Sequence, residues 1–221
     1  MATAQATHPF PPEGAEKRMI ALRFWLQGRG YHRALRAMDY NRRMFNGLRK
    51  DGITPEFDHH VCQAQFMRTL LPFLLHPEET LTAIFFHDTP EDMGVSFDEI
   101  INFFPNDLAF GTQVSNATRR VTKKMRNVKM EAGPLFQSMS ECPIASLVKG
   151  GDRIHNLQSM VGVFSLEKQR RYLDETQEYI LPMLKTAEQN FPEQEPAYKN
   201  IRTFLKAQIH LTAHSLSLAG A

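Results

Sequence analysis

The chain has 221 residues, of which 42% are hydrophobic and 23% are charged, and its formal net charge is only +2. These values are typical of one globular domain and argue against a disordered chain; such a small charge gives no support by itself to nucleic-acid binding. Cys62 and Cys142 have no metal or redox spacing, which suits a reducing compartment. Residues 1–12 lack the apolar region of a signal peptide, and no apolar run is long enough to span a membrane. We therefore expect a cytoplasmic protein.

Apolar residues recur at three- and four-residue steps from Glu16 onward and nowhere alternate as in a strand, which predicts an all-α fold, a single helical bundle. We divide the chain into a flexible leader over residues 1–14, a domain over 15–211 and a tail over 212–221. A loop is expected over 127–143, which contains Gly133 and Pro134, and Ser96 with Glu99 predicts a capped helix start. In chain order, the other predicted helical regions are a stretch from residue 16 that ends near Gly52, residues 57–75 with an interruption near Pro72, a helix that opens at His76 and carries His87, and residues 145–163, 166–189 and 195–211.

The most informative segment is His87-Asp88-Thr89-Pro90-Glu91-Asp92, which follows the largely apolar residues 81–86. In a helix, residues four apart share a face, so His87 would lie with Glu91 and Asp88 with Asp92. Four polar groups at the end of an apolar helix are unfavourable unless a polar partner needs them, and a metal ion with the water that it activates is such a partner. Pro90 has no N–H for the Phe86 carbonyl and should kink the helix.

Two ligands from one segment do not hold a cation, so further ligands must come from elsewhere in the chain. Asp152 follows the largely apolar residues 145–148, and His59 and His60 are adjacent at a predicted helix start. Mixed imidazole and carboxylate ligation suits Mn²⁺, Fe²⁺ or Zn²⁺ rather than Ca²⁺.

The order His, His-Asp, Asp resembles that of the HD-domain metal-dependent phosphohydrolases. Four ordered segments resemble one branch of that superfamily, the (p)ppGpp hydrolases, which include the hydrolase half of the SpoT/Rel proteins and the stand-alone Mesh1-like enzymes. The segments are Arg49-Lys50-Asp51-Gly52 with Thr54-Pro55 and His60, Glu79-Thr80-Leu81 through His87-Asp88, Val148-Lys149 through Asp152-Arg153-Ile154-His155-Asn156-Leu157, and Glu175-Thr176 with Tyr179 and Pro182.

The resemblance implies an enzyme that removes the 3′-pyrophosphate from (p)ppGpp, or a related alarmone such as (p)ppApp, with one Mn²⁺ ion. It implies a small-molecule nucleotide as partner, no membrane and no nucleic acid. Because only one predicted helix and a tail follow Asn200, we expect a hydrolase without a synthetase domain. The implied metal ligands are His60, His87, Asp88 and Asp152, with His59 as the competing neighbour of His60. Glu91 and Asp92 would orient or deprotonate the attacking water. The implied substrate-binding residues are Arg49, Lys50, Lys123, Lys124, Asn156, Ser159, Thr176 and Tyr179.

Several alternatives stay open at this point. Lys123 and Lys124 belong to a basic cluster that could also be a solvated helix face or an RNA-binding patch (Arg119, Arg120, Lys123, Lys124, Arg126 and Lys129). Tyr179 could be a packing residue of the core. For Arg153 the favoured interpretation is a structural ion-pair partner rather than a residue that contacts the ligand. The glycines Gly150 and Gly151 should either loosen the helix start or make room for a close approach of backbone or ligand. Other functions in view are an HD phosphohydrolase for dNTPs, nucleoside monophosphates or NADPH, and a silent nucleotide sensor.

Overall fold

The computed structural model describes residues 14–125 and 128–219, and within these ranges the protein is an all-α bundle, as predicted. The predicted leader lies outside the described residues except for Gly14. The helices are α1 (Ala15–Gly28), α2 (His32–Met44), α3 (Glu56–Arg68), α4 (Pro77–Phe86), α5 (Thr89–Asp92), α6 (Phe97–Asn102), α7 (Leu108–Val121), α8 (Ala132–Ser140), α9 (Pro143–Ser159), α10 (Leu166–Glu175), α11 (Leu181–Asn190) and α12 (Glu195–Ala219). One π turn (Thr176–Ile180) joins α10 to α11.

The centre of the bundle is formed by α4 and α9, whose side chains are buried around almost the whole helix circumference. A surface helix would bury only one stripe, so burial on all sides identifies these two helices as the core of the fold. Helices α3, α7, α11 and α12 pack against α9, and α2 and α7 pack against α4. The polar residues that follow α4, and those within α9, are therefore held by a rigid frame.

The glycine pair of α9 lies in the middle of the helix, where side chains of neighbouring helices pack against it. A Cβ atom on Gly150 would lie 2.8 Å from Ile201 Cγ2 of α12, and one on Gly151 would lie 3.3 Å from Met67 Cε of α3. Helix α9 continues through the pair, so the helix is not loosened there, and the atoms that approach the glycines belong to side chains of neighbouring helices rather than to backbone or a ligand.

Several elements differ from the sequence-based expectation. Residues 132–140, expected to be a loop, form α8, because Pro134 falls in the first turn, where its missing N–H has no helical partner. The last helix continues to Ala219 instead of ending near residue 211, with Ile209 and Leu216 buried on its inner side. Two two-residue strands, β1 (Lys124–Met125) and β2 (Val128–Lys129), pair antiparallel in a short hairpin.

Two further local features concern the start of α6 and the loop after α2. The predicted capping box is confirmed: Ser96 Oγ accepts from the Glu99 N–H at 3.2 Å and Glu99 Oε2 accepts from the Ser96 N–H at 2.8 Å. Helix α2 ends at Met44, earlier than predicted, so Arg49 and Lys50 lie in a loop rather than at a helix end. That loop turns at Gly52, whose φ of +73° is in the left-handed region that favours glycine.

Across the described part of the chain, no helix combines the length and the apolar character needed to cross a membrane.

Candidate metal centre

The polar segment after α4 is a break between two helices rather than a continuous helix. Helix α4 ends at Phe86, and Pro90 lies in the first turn of α5. Pro90 has no N–H to donate to the Phe86 carbonyl, and this carbonyl instead accepts a hydrogen bond from the Thr89 hydroxyl at 2.8 Å. The predicted effect of Pro90 is confirmed, and the break turns His87 and Asp88 toward α3 and α9.

Five side chains from three places in the fold converge here: His59 and His60 of α3, His87 and Asp88 after α4, and Asp152 of α9. The His87 Nε2 atom lies 3.1 Å from Asp88 Oδ2 and 3.9 Å from Asp152 Oδ1. Two groups have ligand atoms within 4.8 Å of one another, His59 with His87 and Asp152, and His60 with His87 and Asp88. The arrangement suits a divalent cation bound by nitrogen and oxygen.

The two adjacent histidines approach the carboxylates differently. His59 Nε2 lies 3.3 Å from Asp152 Oδ1 and 3.9 Å from Asp88 Oδ2, so it reaches both carboxylates. His60 Nε2 lies 3.6 Å from Asp88 Oδ2. The other nitrogen of His59, Nδ1, lies 2.8 Å from His155 Nδ1, where one ring donates a hydrogen bond to the other. That second contact fixes the orientation of the His59 ring, as outer partners of metal-bound histidines commonly do.

Buried nitrogen atoms without a hydrogen-bond partner support this interpretation. Within the part of the chain that the structure describes, the Nε2 atoms of His60 and His87, and also His60 Nδ1, are buried and make no hydrogen bond of good geometry, although Asp88 Oδ2 lies 3.1 Å from His87 Nε2 and 3.6 Å from His60 Nε2. His87 Nδ1 contacts the Ile84 carbonyl oxygen at 2.8 Å, which leaves Nε2 free to face the carboxylates. Since a buried polar atom without a partner is unfavourable, these residues fit a bound cation.

The charges of the cluster are mutually dependent. Burial lowers the pKa of His60, and the neighbouring His87 lowers it further. Burial opposes protonation of His87 too, but the carboxylates of Asp88 and Asp152 outweigh it and raise the pKa of His87 to about 10. Burial would raise the pKa of Asp88, but the adjacent histidines hold the pKa of that carboxyl below its usual range. Without a metal ion, a proton on His87 therefore balances part of the carboxylate charge.

Asp152 is held in place by two neighbours on its own helix. Lys149 Nζ donates to Asp152 Oδ2 at 2.7 Å, and Asn156 Nδ2 donates to Asp152 Oδ1 at 2.6 Å. Burial would raise the pKa of Asp152, but Lys149 and the two histidines His59 and His87 keep the pKa of this carboxyl well below its usual range. As predicted, Asn156 shares a face with Asp152, and the structure gives its amide a partner there.

The two carboxylates of α5 have different environments. Glu91 accepts hydrogen bonds from the backbone N–H groups of Lys123 and Lys124, the latter at 3.2 Å, which ties α5 to the start of the hairpin. Asp92 lines the cavity described below, where desolvation and the carboxylates of Asp88, Glu91 and Glu56 raise its pKa to about 6. Asp92 can therefore exchange a proton near neutral pH, whereas Glu91 is engaged with the backbone.

The cluster lies in an open cavity of about 380 Å³. Glu91 and Asp92 line it, together with five of the predicted substrate-binding residues: Arg49, Lys50, Lys123, Asn156 and Ser159. Lys124, Thr176 and Tyr179 are not among its lining residues. Thr176 is buried with its hydroxyl bonded to the Tyr172 carbonyl at 2.5 Å, and Tyr179 stacks on Phe136 with ring centroids 5.4 Å apart. The alternative of Tyr179 as a packing residue is therefore supported.

One of the cavity lysines is paired with an acid from another helix. Lys123 Nζ donates to Glu175, which also accepts from Arg153 Nη2 at 2.5 Å, as the ion-pair interpretation of Arg153 predicted. Burial would raise the pKa of Glu175, but Arg153 and Lys123 lower it to about 2. The pKa of Lys123 is itself lowered, because burial and the nearby Lys149 outweigh Glu175.

In the predicted basic cluster, Arg126 and the Lys129 side chain lie outside the described residues, and Arg119 lies over the Phe97 ring at 4.5 Å.

Several participants in this site were not identified from the sequence, among them Lys149, His155 and Phe164. Lys149 lies three residues before Asp152, so helical spacing alone could have suggested it. His155 contacts His59 across 96 residues of sequence, and Phe164 joins the cavity from the loop after α9; no local pattern indicates either contact.

Comparison with known proteins gives one relative that bears on this site. A protein of Aquifex aeolicus (strain VF5) named guanosine-3′,5′-bis(diphosphate) 3′-pyrophosphohydrolase is 28% identical over 146 residues, covering 58% of this chain and 20% of the relative. This chain thus spans about a fifth of the length of the curated relative that it matches. No family model matches the chain. The name of the relative fits the family resemblance read from the motifs and suggests a hydrolase.

Proposed function

We propose that the protein is a metal-dependent phosphohydrolase that removes the 3′-pyrophosphate from (p)ppGpp or a related alarmone such as (p)ppApp, releasing pyrophosphate and the 5′-nucleotide. One observation carries the proposal: buried imidazoles, the buried Asp152 and the partly exposed Asp88 converge from α3, α4–α5 and α9 in a cavity that also presents Arg49, Lys50 and Lys123. Clustered ligands suit a cation, and a cationic wall suits a polyanionic substrate. The similarity to the Aquifex enzyme points to the same chemistry.

The metal would be a single Mn²⁺ ion held by His87, Asp88, Asp152 and an imidazole of the His59–His60 pair. Sequence motifs favour His60 for the fourth position, whereas the distances favour His59, whose Nε2 lies within 4 Å of both carboxylates. When bound, a divalent cation there supplies positive charge for phosphate oxygens and makes a water molecule more acidic. Lys149 and Asn156 would keep Asp152 ionised and aimed at the site.

In this proposal the two carboxylates of α5 have different roles: Asp92 accepts a proton, and Glu91 holds α5 in position. Asp92, with a pKa of about 6, is ionised at neutral pH and can accept a proton from the attacking water. Glu91, anchored to the backbone of Lys123 and Lys124, positions α5 against the hairpin and adds negative potential beside Asp92.

The remaining cavity residues would bind the nucleotide. Arg49 offers a planar guanidinium that can stack on a purine or pair with phosphate, and Lys50 offers a second cation beside it. Lys123 would exchange its pairing with Glu175 for a phosphate oxygen. Asn156 and Ser159 offer an amide and a hydroxyl for ribose or phosphate oxygens.

A substrate panel tests the proposal. The full chain, purified and loaded with Mn²⁺, is incubated with ppGpp, pppGpp, ppApp, NADPH and dNTPs, and the products are resolved by chromatography, with a chelator-treated sample as control. We expect pyrophosphate and GDP or GTP from the guanosine alarmones, or the corresponding adenosine product, and no product after chelation. Turnover confined to dNTPs or NADPH would replace the proposal with a different nucleotide phosphohydrolase.

A further inference from the structure

The outer side of α12 carries large apolar side chains at intervals of seven residues. Ile209 and Leu216 are buried against the bundle, whereas the side chains of Phe204, Leu211 and Leu218 are exposed by 42%, 61% and 68%. Seven residues make nearly two turns of an α-helix, so these three exposed side chains form one apolar stripe along the helix. The outer side of a surface helix is ordinarily polar, so this stripe indicates a second packing face.

The apolar stripe lies in a segment of α12 that is poor in charge. Between Thr203 and Leu218 the sequence has one charged residue, Lys206, although 23% of the whole chain is charged. The other residues along the outer side are small or formally neutral (Ala207, Gln208, His210, Ala213, His214, Ser215 and Ser217). Two copies of one chain carry identical charges, so a charged face would repel its own copy. A neutral face therefore suits a second copy, whereas an acidic or basic partner would find little complementary charge there.

The apolar surface continues from α12 onto α3. The rings of Phe204 and the partly buried Phe66 pack edge to face, with centroids 5.6 Å apart. The stripe itself is about 21 Å long on a helix about 10 Å wide, so it offers a smaller area than the roughly 800 Å² that each partner buries in a stable specific dimer. Even with Phe66, the contact falls at the weak end of that range, which predicts reversible association rather than an obligate dimer.

We propose that two copies of the chain associate reversibly through the apolar stripe of α12, related by a two-fold axis that passes near Leu211. The seven-residue spacing is the pattern by which two helices interlock, and a two-fold interface uses the same surface on both copies. Leu211 is the midpoint of the stripe, so the two Leu211 side chains meet whether the helices run parallel or antiparallel. The inference does not depend on the proposed function, since none of the stripe residues lines the metal-site cavity.

Sedimentation equilibrium of the full chain tests the proposal with wild type, Leu211→Glu and the control Leu108→Glu. Leu108, at the start of α7, is 54% exposed and lies outside the stripe. We expect wild type to dimerise reversibly between about 5 and 500 µM, and Leu211→Glu to raise the dimer Kd by about 30-fold or more, because two carboxylates would be buried side by side. Leu108→Glu should keep the wild-type Kd, with circular dichroism to verify each fold.

Three results of that experiment would overturn the proposal. They are a wild type that stays monomeric over the whole concentration range, a dimer that Leu211→Glu leaves intact, and an equal loss of dimer in Leu108→Glu. The first leaves the face without a second copy, and the other two assign the association to a different surface or to non-specific contact.

A charge-reversal pair tests whether the two Leu211 positions face each other. Leu211→Glu and Leu211→Lys are purified separately and then mixed in equal amounts. We expect each variant alone to be mostly monomeric and the mixture to regain dimer, because a carboxylate on one copy then faces an ammonium group on the other. This recovery should weaken as the salt concentration is raised. A mixture that is no more dimeric than either variant alone would refute the two-fold contact at Leu211.

Discussion

The side-chain amide of Asn156 donates a hydrogen bond to the carboxylate of Asp152, with Nδ2 and Oδ1 2.6 Å apart. This contact occupies one lone pair of Asp152 Oδ1 and thereby fixes the orientation of the carboxylate. The other lone pairs of the carboxylate face Lys149 and the histidines. Asn156 thus has a positioning role for a candidate metal ligand, in addition to any contact with a substrate.

Removal of this amide should weaken metal binding. In Asn156→Ala we expect the affinity for Mn²⁺ to fall by about 10- to 100-fold, because the Asp152 carboxylate loses its outer partner. Calorimetric titration of Mn²⁺ measures this directly, with Asn102→Ala, at an exposed position of α6, as the matched control. A wild-type Mn²⁺ affinity combined with a raised KM would assign Asn156 to the substrate alone.

The adjacent histidines of α3 should respond differently to substitution. His59→Gln should reduce Mn²⁺ affinity by more than about 100-fold, because His59 reaches both Asp88 and Asp152. His60→Gln should have a smaller effect on affinity and a larger one on stability, since His60 packs between Phe45 and Phe57 at ring distances of 4.8 and 6.2 Å. Metal titration and urea unfolding of both variants decide the matter. Loss of Mn²⁺ binding in His60→Gln with retention in His59→Gln would restore the assignment made from the motifs.

The glycine pair of α9 gives a prediction for stability. Gly150→Ala places a Cβ atom 2.8 Å from Ile201 Cγ2 and 3.2 Å from Leu184 Cδ2, so we expect destabilisation by about 1 to 3 kcal/mol. Gly133→Ala in α8 is the matched control, since nothing lies within 4 Å of its added Cβ and helix propensity favours alanine there. Urea unfolding measures both. A Gly150→Ala protein as stable as wild type would show that α9 and α12 are less closely packed than the structure indicates.

These residues also illustrate which features the sequence can predict. Features within one helical turn follow from local spacing and can be predicted from the sequence. Examples are the contact of Asp152 with Asn156, the Ser96–Glu99 cap and the break at Pro90. Contacts between distant segments were not, because they depend on how helices pack. The pairing of His59 with His155 and the approach of Ile201 to Gly150 are of this second kind.

The helix boundaries show the same distinction between local and tertiary control. Pro134 predicts a loop from local propensity, yet in the folded chain it is accommodated in the first turn of α8, whose Leu135 and Phe136 join the core. Likewise, α12 continues past residue 211 because Leu216 is buried against the bundle. Tertiary burial outweighed the local signals in both places.

The ion pairs that Glu175, at the end of α10, makes with Lys123 and Arg153 should make the stability of the fold depend on pH. The folded-state pKa of Glu175 is lowered to about 2, so its carboxylate stabilises the fold fully above about pH 5 and that contribution is lost as the pH falls toward 2. Glu175→Gln should lose about 1 to 3 kcal/mol at pH 7, since it leaves the buried Arg153 without its carboxylate, and less at pH 3. Urea unfolding at both pH values tests this, with the exposed Glu167→Gln as control. Equal destabilisation of Glu175→Gln at the two pH values would exclude the carboxylate charge as its cause.

The most direct test of the central claim is Mn²⁺-dependent release of pyrophosphate from ppGpp by wild type and by Asp152→Asn. The substitution keeps the size of the side chain, with circular dichroism to verify the fold, and removes the charge that the proposal assigns to the metal. We expect wild type to release pyrophosphate only with Mn²⁺, and Asp152→Asn to lose both Mn²⁺ binding and at least 99% of the turnover, a loss on the order of 100-fold or more. Wild-type turnover in a folded Asp152→Asn protein would contradict the account.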